Sequence, residues 1–140
     1  MPNVLRLVDT GVLYAALTAT DDRHDQCASL LRTVRKPLLT TPAVVAELFW
    51  LIGPNRHFMA NGWQLVKSGA ITLAEIGDGD LLHIEDLMLK YADRPMDFAD
   101  ATLVHVAGRE GIADILTIDH DDFETYRFGR NRKFRIAPAR

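Results

Sequence analysis

Cysteine is almost missing from this sequence. Cys27 is the single one, which excludes an internal disulfide framework and a zinc ribbon. It lies on the stripe Cys27, Leu30, Leu31, Val34 of a predicted helix, where it reads as a small buried side chain. Long apolar runs are missing too. The longest, Ala43 to Ile52, is too short to span a bilayer and contains Glu47. A signal peptide is not expected, because Arg6 and Asp9 interrupt the first apolar stretch. There is no Gly-rich phosphate loop and no Gly-x-Ser-x-Gly nucleophile motif. His24, His57, His83, His105 and His120 show no paired metal-ligand spacing, and His105 reads as a core residue on an apolar helix. Low-complexity tracts, internal repeats and Pro-, Gly- or Ser-rich linkers are also absent. These absences point away from a membrane protein, a secreted disulfide scaffold and a serine hydrolase. A cytoplasmic location is the expectation.

What remains is enough for one core. The chain has 140 residues, 48% of them hydrophobic, so one domain spanning 1–140 is expected. The net charge of −3 is unevenly spread. From Thr125 onward there are six basic residues and no acid, which leaves the first 124 residues at −9. An acidic body with a basic tail suits a polyanion held through metal at one place and through arginine at another. A solvated, positively charged final strand is the plainer reading.

Short apolar strands alternate with longer amphipathic helices. Strands are predicted at Val4 to Val8, Leu38 to Thr41, Ile71 to Ile76, Ile115 to Ile118 and Phe134 to Ile136. A short helix follows Gly11, and Asp21 or Asp22 is placed to cap the next. Thr41-Pro42 opens a third helix, with a hydroxyl cap before a first-turn proline. Further helices are predicted over Asn55 to Lys67, Asp80 to Tyr91 and Asp97 to Glu110, with a short turn over Asp121 to Tyr126. The alternation predicts an α/β fold with a mostly parallel sheet covered by helices. In such folds the ligand sits beyond the carboxyl ends of the strands.

Four acids stand out there, each embedded in apolar sequence: Asp9 in LRLVDTGVL, Glu47 in PAVVAELFWLI, Asp100 in DFADATLVHVA and Asp119 in ILTIDHDDF. Glu47 is the only charged residue between Lys36 and Arg56. Carboxylates in apolar surroundings are costly unless something pairs with them. Arg6 is the one basic residue within those four stretches, apart from histidine. Converging carboxylates call for a cation, and hard oxygen donors without His or Cys favour Mg²⁺ or Mn²⁺ over zinc. Asp9, Asp97, Asp100 and Asp119 also suit N-cap, first-turn or turn roles.

The segments LRLVDTGVLYAAL, TTPAVVAELFWL, PMDFADATLVHVAGREGI and ILTIDHDDFETYRF, in that order across nearly the whole chain, resemble the PIN-domain ribonuclease family. The resemblance is strongest to the toxin half of VapBC-type toxin–antitoxin pairs. It implies an α/β/α sandwich around a short parallel sheet. It implies that Asp9, Glu47, Asp100 and Asp119 hold Mg²⁺ or Mn²⁺. Asp97 and Asp122 occupy neighbouring acidic positions, and Thr10 and Thr117 correspond to hydroxyls that support Asp9 and the rim. The activity it implies is RNA cleavage, silenced by a cognate antitoxin, often in a homodimer. Gly11 departs from the pattern, since the family usually has Asn or Ser after Asp-Thr.

The tail and the third and fourth helices carry further expectations. Arg127, Arg130, Arg132 and Lys133 are candidates for phosphate contacts. The helix pair over Thr41 to Lys67 carries more large apolar residues than one core face requires, a surplus that suits an antitoxin segment or a second copy. The rival reading is a non-catalytic RNA- or protein-binding module on the same fold, using the basic tail and Phe49, Trp50, Phe58 and Trp63. A haloacid-dehalogenase phosphatase is disfavoured because Thr10-Gly11 follows Asp9 where Asp-x-Asp is needed. A receiver domain lacks its acidic pair before the first-strand aspartate.

Overall fold

The structure, a computed structural model, describes residues 5–140. Its centre is β1 (Leu7–Val8), a two-residue strand with both side chains fully buried. On one side β1 pairs with β2 (Leu38–Thr40), and β2 pairs with β3 (Ile71–Leu73). On the other side it pairs with β4 (Asp114–Leu116), and β4 pairs with a late strand at Arg135–Ala137. Every pairing in this sheet is parallel, in the order expected of a sheet that grows outward from its first strand in both directions. The switch in direction falls between β1 and β4, where such sheets place a ligand crevice.

Helices connect the strands and flank the sheet. They are α1 (Thr10–Leu17), α2 (His24–Thr33), α3 (Pro42–Ile52), α4 (Arg56–Lys67), α5 (Leu81–Lys90), α6 (Phe98–Glu110) and α7 (His120–Thr125). The α3 start follows the sequence reading: Thr41 Oγ1 accepts from Val44 N, with Pro42 in the first turn. The same hydroxyl meets Thr102 Oγ1 at 2.8 Å and ties α3 to α6. Helix α6 is the buried spine, with every residue from Ala101 to Ala107 inside. Gly111, at φ 70°, closes it in the left-handed conformation that favours glycine. No helix among the described residues is long and apolar enough to cross a membrane.

The strands are shorter than the sequence suggests. Val4 lies outside the described residues, and Leu5 and Arg6 precede the ladder. The third strand stops at Leu73, before Ile76 is reached. The fourth stops at Leu116; Thr117 N makes one last bond to the Ala137 carbonyl, and the Thr117 hydroxyl then accepts from Asp119 N. Asp21 does not cap α2; its side chain accepts from Arg23 N in the preceding turn.

The segment after α7 forms a feature the sequence reading did not anticipate. Strands β5 (Arg127–Phe128) and β6 (Arg132–Lys133) make an antiparallel hairpin before the edge strand, which is β7. Gly129 and Asn131 both have positive φ, which reverses the chain. Phe134 leaves the predicted last strand and packs edge-on against Phe123 and obliquely against Phe128.

Candidate active site

Asp9 follows β1 directly and caps α1. Its Oδ1 accepts from Thr10 N at 2.8 Å, and its Oδ2 accepts from the Thr117 hydroxyl at 3.0 Å. Thr117 is fully buried and in turn accepts from Asp119 N. One hydroxyl thus holds the β1 and β4 acids in register across the switch point. Asp119 caps α7 and receives the Asp122 N–H; Asp97 caps α6 and receives the Asp100 N–H. The capping and cation-binding roles are compatible here. The positive helix ends of α1 and α6 lie at the same place and offset part of the clustered negative charge.

Asp9, Thr10, Glu47, Asp97, Asp100, Asp119 and Asp122 all line one open depression of about 420 Å³. The tightest group is Asp100, Asp119 and Asp122, each offering a carboxylate oxygen within 4.8 Å of the others. The sequence reading ranked Glu47 and Asp9 above Asp122; here both sit on the same depression but outside that closest triad. Tyr126 Oη donates to Asp100 Oδ2 at 3.2 Å. Burial and the neighbouring acids push the Tyr126 hydroxyl upward, so it stays a donor.

The electrostatics are those of unneutralised charge. Burial raises Asp9 to about 7, against the lowering effect of its bonds from Thr10 and Thr117; Glu47 and Asp119 add to the rise. Asp100 is raised to about 9, first by burial and then by Asp9, Asp97 and Asp119. Asp119 is raised to about 6 by burial and by Asp122. No Lys or Arg lines the depression. The one cation bound to the cluster among the described residues is Arg94, whose Nη1 lies 3.0 Å from Asp122 Oδ1. Sequence reasoning missed it, because the two residues are 28 apart with no shared pattern.

The Thr10 hydroxyl is buried beside Asp9 and has no hydrogen-bond partner, the only such side-chain atom among the described residues. An orphaned polar atom in a native interior calls for an explanation such as a bound ion or water. With an all-oxygen donor set, the residues present fit a hard divalent cation. Gly11 sits tightly here: a Cβ at that position would lie 3.0 Å from Ile118 Cγ1.

The basic residues are elsewhere. Arg127, Arg130, Arg132 and Lys133 do not line the acidic depression. Arg127 Nη1 donates to the carbonyls of Glu124, Thr125 and Tyr126 and so serves the end of α7. The hairpin abuts Gly108 on α6, about 12 Å from Asp100 at helical rise. A larger depression of about 670 Å³ includes Asp80 and Arg109 in its lining. Its Asp80 is already satisfied by Gly77 N, His105 and Arg109. His105 also meets His83, Nδ1 to Nδ1 at 2.8 Å, and pins α5 to α6. This pair accounts for a histidine that the sequence left as core, and it stands apart from the acidic cluster.

Comparison with known proteins agrees with this fold. The PIN domain family profile matches residues 6–129. Ribonuclease VapC26 of Mycobacterium tuberculosis is 28% identical over 134 residues, covering 94% of this chain and 99% of that protein. Among solved structures, M. tuberculosis VapC20, a sarcin-ricin loop cleaving toxin, superposes with a TM-score of 0.74 at 19% identity. That match covers 84% of this chain and 93% of VapC20. VapBC2 of Rickettsia felis, bound to a DNA fragment from its promoter, superposes with a TM-score of 0.63 at 12% identity, covering 94% and 98%. The last two likenesses speak to the fold.

Proposed function

This chain belongs to the PIN domain family, and from that premise we propose that it is a metal-dependent endoribonuclease, the toxin of a toxin–antitoxin pair. The observation that carries the chemistry is the cluster of Asp100, Asp119 and Asp122, with Asp9 and Glu47 beside it and no Lys or Arg in the lining. Likeness to a VapC ribonuclease along almost the whole chain supports RNA as the substrate.

Asp9, Glu47, Asp100 and Asp119 are the residues we assign to hold Mg²⁺ or Mn²⁺, with Asp122 close enough to join them. A divalent ion bound there supplies a water of lowered pKa and a counter-charge for the leaving oxygen of the phosphodiester. The protein's own part is positional. Thr117 holds Asp9, Tyr126 holds Asp100, and Arg94 keeps Asp122 turned to one side. Asp97 and Thr10 complete the rim. The test is incubation of the purified protein with total RNA, with and without chelator. Cleavage in Mg²⁺ or Mn²⁺ that stops on chelation is the expected result. Cleavage persisting in excess chelator, or none with either ion, overturns the proposal.

The hairpin cations Arg127, Arg130, Arg132 and Lys133 are assigned to phosphates several nucleotides from the scissile one. Replacing Arg130 and Arg132 together by Ala is expected to flatten the slope of log affinity against log salt by roughly 1.4, with kcat retained. Binding titrations on a single-stranded RNA at several salt concentrations measure it, and an unchanged slope removes the hairpin from the interface. A cytoplasmic protein acting on RNA needs its partner in the same compartment. The exposed apolar residues of α3 and α4, Leu51, Phe58, Met59 and Trp63, are assigned to a cognate antitoxin or to a second copy in a homodimer.

A further inference from the structure

Trp50 is the most exposed large apolar side chain among the described residues, at 80% relative accessibility. It stands on α3, three residues after Glu47, and lines the acidic depression together with Leu51. Residues three apart on a helix share a face, so the indole and the Glu47 carboxylate look into the same space. The helix pair's other tryptophan behaves differently. Trp63 packs on Phe49 with ring centroids 4.8 Å apart, whereas no aromatic neighbour among the described residues covers Trp50.

The depression poses a binding problem. Its lining holds five aspartates and one glutamate and no Lys or Arg. The hairpin turn at Gly129 abuts Gly108, about 12 Å along α6 from Asp100. Apart from Arg94, already paired with Asp122, and a bound metal ion, a nucleic acid next to the acids must gain affinity from something other than ion pairs. An exposed indole on the rim supplies that without charge, because every base has a π-face and stacks on an aromatic side chain regardless of identity.

Resting on the ribonuclease reading above, we infer that Trp50 is a stacking platform for an unpaired nucleobase beside the scissile phosphate. A base within a helix has both faces occupied, so a stacked duplex gains nothing from the indole.

The test compares Trp50→Ala, Trp50→Phe and Trp50→Leu on one single-stranded RNA and on the same sequence annealed to its complement. Trp50→Ala raises KM for the single strand roughly 5- to 150-fold, the span that one lost stack gives, and leaves kcat within a few-fold. Trp50→Phe restores most of the loss; Trp50→Leu, apolar but without a π-face, does not. The second readout uses Trp63→Phe protein, whose only indole is Trp50. Its fluorescence is quenched by a base-bearing oligoribonucleotide and not by an abasic chain of equal phosphate count.

If the wild type cuts single-stranded RNA and Trp50→Ala cuts it with unchanged KM, or if Trp50→Leu rescues as well as Trp50→Phe, the stacking role is overturned while the nuclease reading stands. A Trp50→Ala protein that cuts normally and instead loses a co-purifying protein partner assigns the indole to that partner, and likewise overturns the stacking role. A wild type that neither binds nor cuts any RNA overturns the nuclease reading and this inference with it. Because Trp50 is largely outside the core, Trp50→Ala keeps the wild-type melting temperature within a few degrees, which separates lost binding from lost structure.

Discussion

Asp100→Asn is expected to lower RNA cleavage by at least about 100-fold while the protein stays folded and grows more heat-resistant without metal. Outer partners of metal ligands already cost about 10- to 100-fold when removed, so a direct ligand should cost no less. The amide keeps the shape and the Tyr126 contact but gives up the charge that a hard cation requires. The stability gain has the opposite origin. Asp100 is raised to about 9 by burial and by Asp9, Asp97 and Asp119, so an ionised carboxylate there opposes folding. Removing it should raise the metal-free melting temperature at about pH 8 by about 3 °C or more, the shift that about 1 kcal/mol gives a chain of this size. Single-turnover cleavage and a thermal scan in chelator measure the two halves. Undiminished cleavage sinks the assignment of Asp100. A melting temperature that falls instead says the carboxylate is structural.

The second large effect is a metal-free stability that declines as pH rises, and a metal-induced gain that grows with it. Asp9, Asp100 and Asp119 stand at about 7, 9 and 6, all above their ordinary value of 3.8. Between about pH 4 and 9 the folded protein therefore binds more protons than the unfolded chain, and the slope of unfolding free energy with pH is negative. The contribution of these acids is fully present below about pH 4 and is lost as pH passes about 6, 7 and 9. Asp80, held at about 2, and Asp114, Asp121 and Glu124, also lowered, work the other way, but they are lost only as pH falls below the ordinary carboxylate range. Above about pH 5 the clustered acids decide the sign. Mg²⁺ or Mn²⁺ must displace their protons to bind, so its stabilisation increases from about pH 6 to about pH 9. It reaches about 2.7 kcal/mol when the ion is at about 100 times its dissociation constant. Melting temperatures at about pH 6, 7.5 and 9, with chelator and with each ion, test this. A metal-free protein whose stability climbs across that range contradicts it.

The sheet, its parallel sense and the helix order were legible because apolar strands and amphipathic helices alternate clearly. Strand ends were not. The ladder of β3 with β2 closes at Leu73 although Ala74 and Ile76 are apolar. Ala74 N makes one last bond to the Thr40 carbonyl, and Thr41 then leaves the sheet to cap α3. The acids' embedding in apolar sequence anticipated that they share one depression, and the hydroxyls of Thr10 and Thr117 lie beside Asp9. The prominence of Asp122 was hidden, because helical folding after Asp119 is what brings it within reach of Asp100. Cap and ligand looked like rival roles for Asp9 and Asp119, yet one carboxylate has oxygens for both. The basic tail offered either phosphate contacts or a solvated final strand. The turn residues Gly129 and Asn131 were the available sign that it doubles back as a hairpin.

The close approach of Ile118 to Gly11 carries a consequence for how such a pocket can vary. Where the resemblance leads one to expect Asn or Ser, this chain has Gly11, and Ile118 fills the space beside it. A Cβ at Gly11 would require the Ile118 side chain to give by a few tenths of an ångström, and trimming Ile118 by itself would leave a void at the mouth of the acidic nest. The two side chains are coupled through one shared space: a change at either alters the room left for the other.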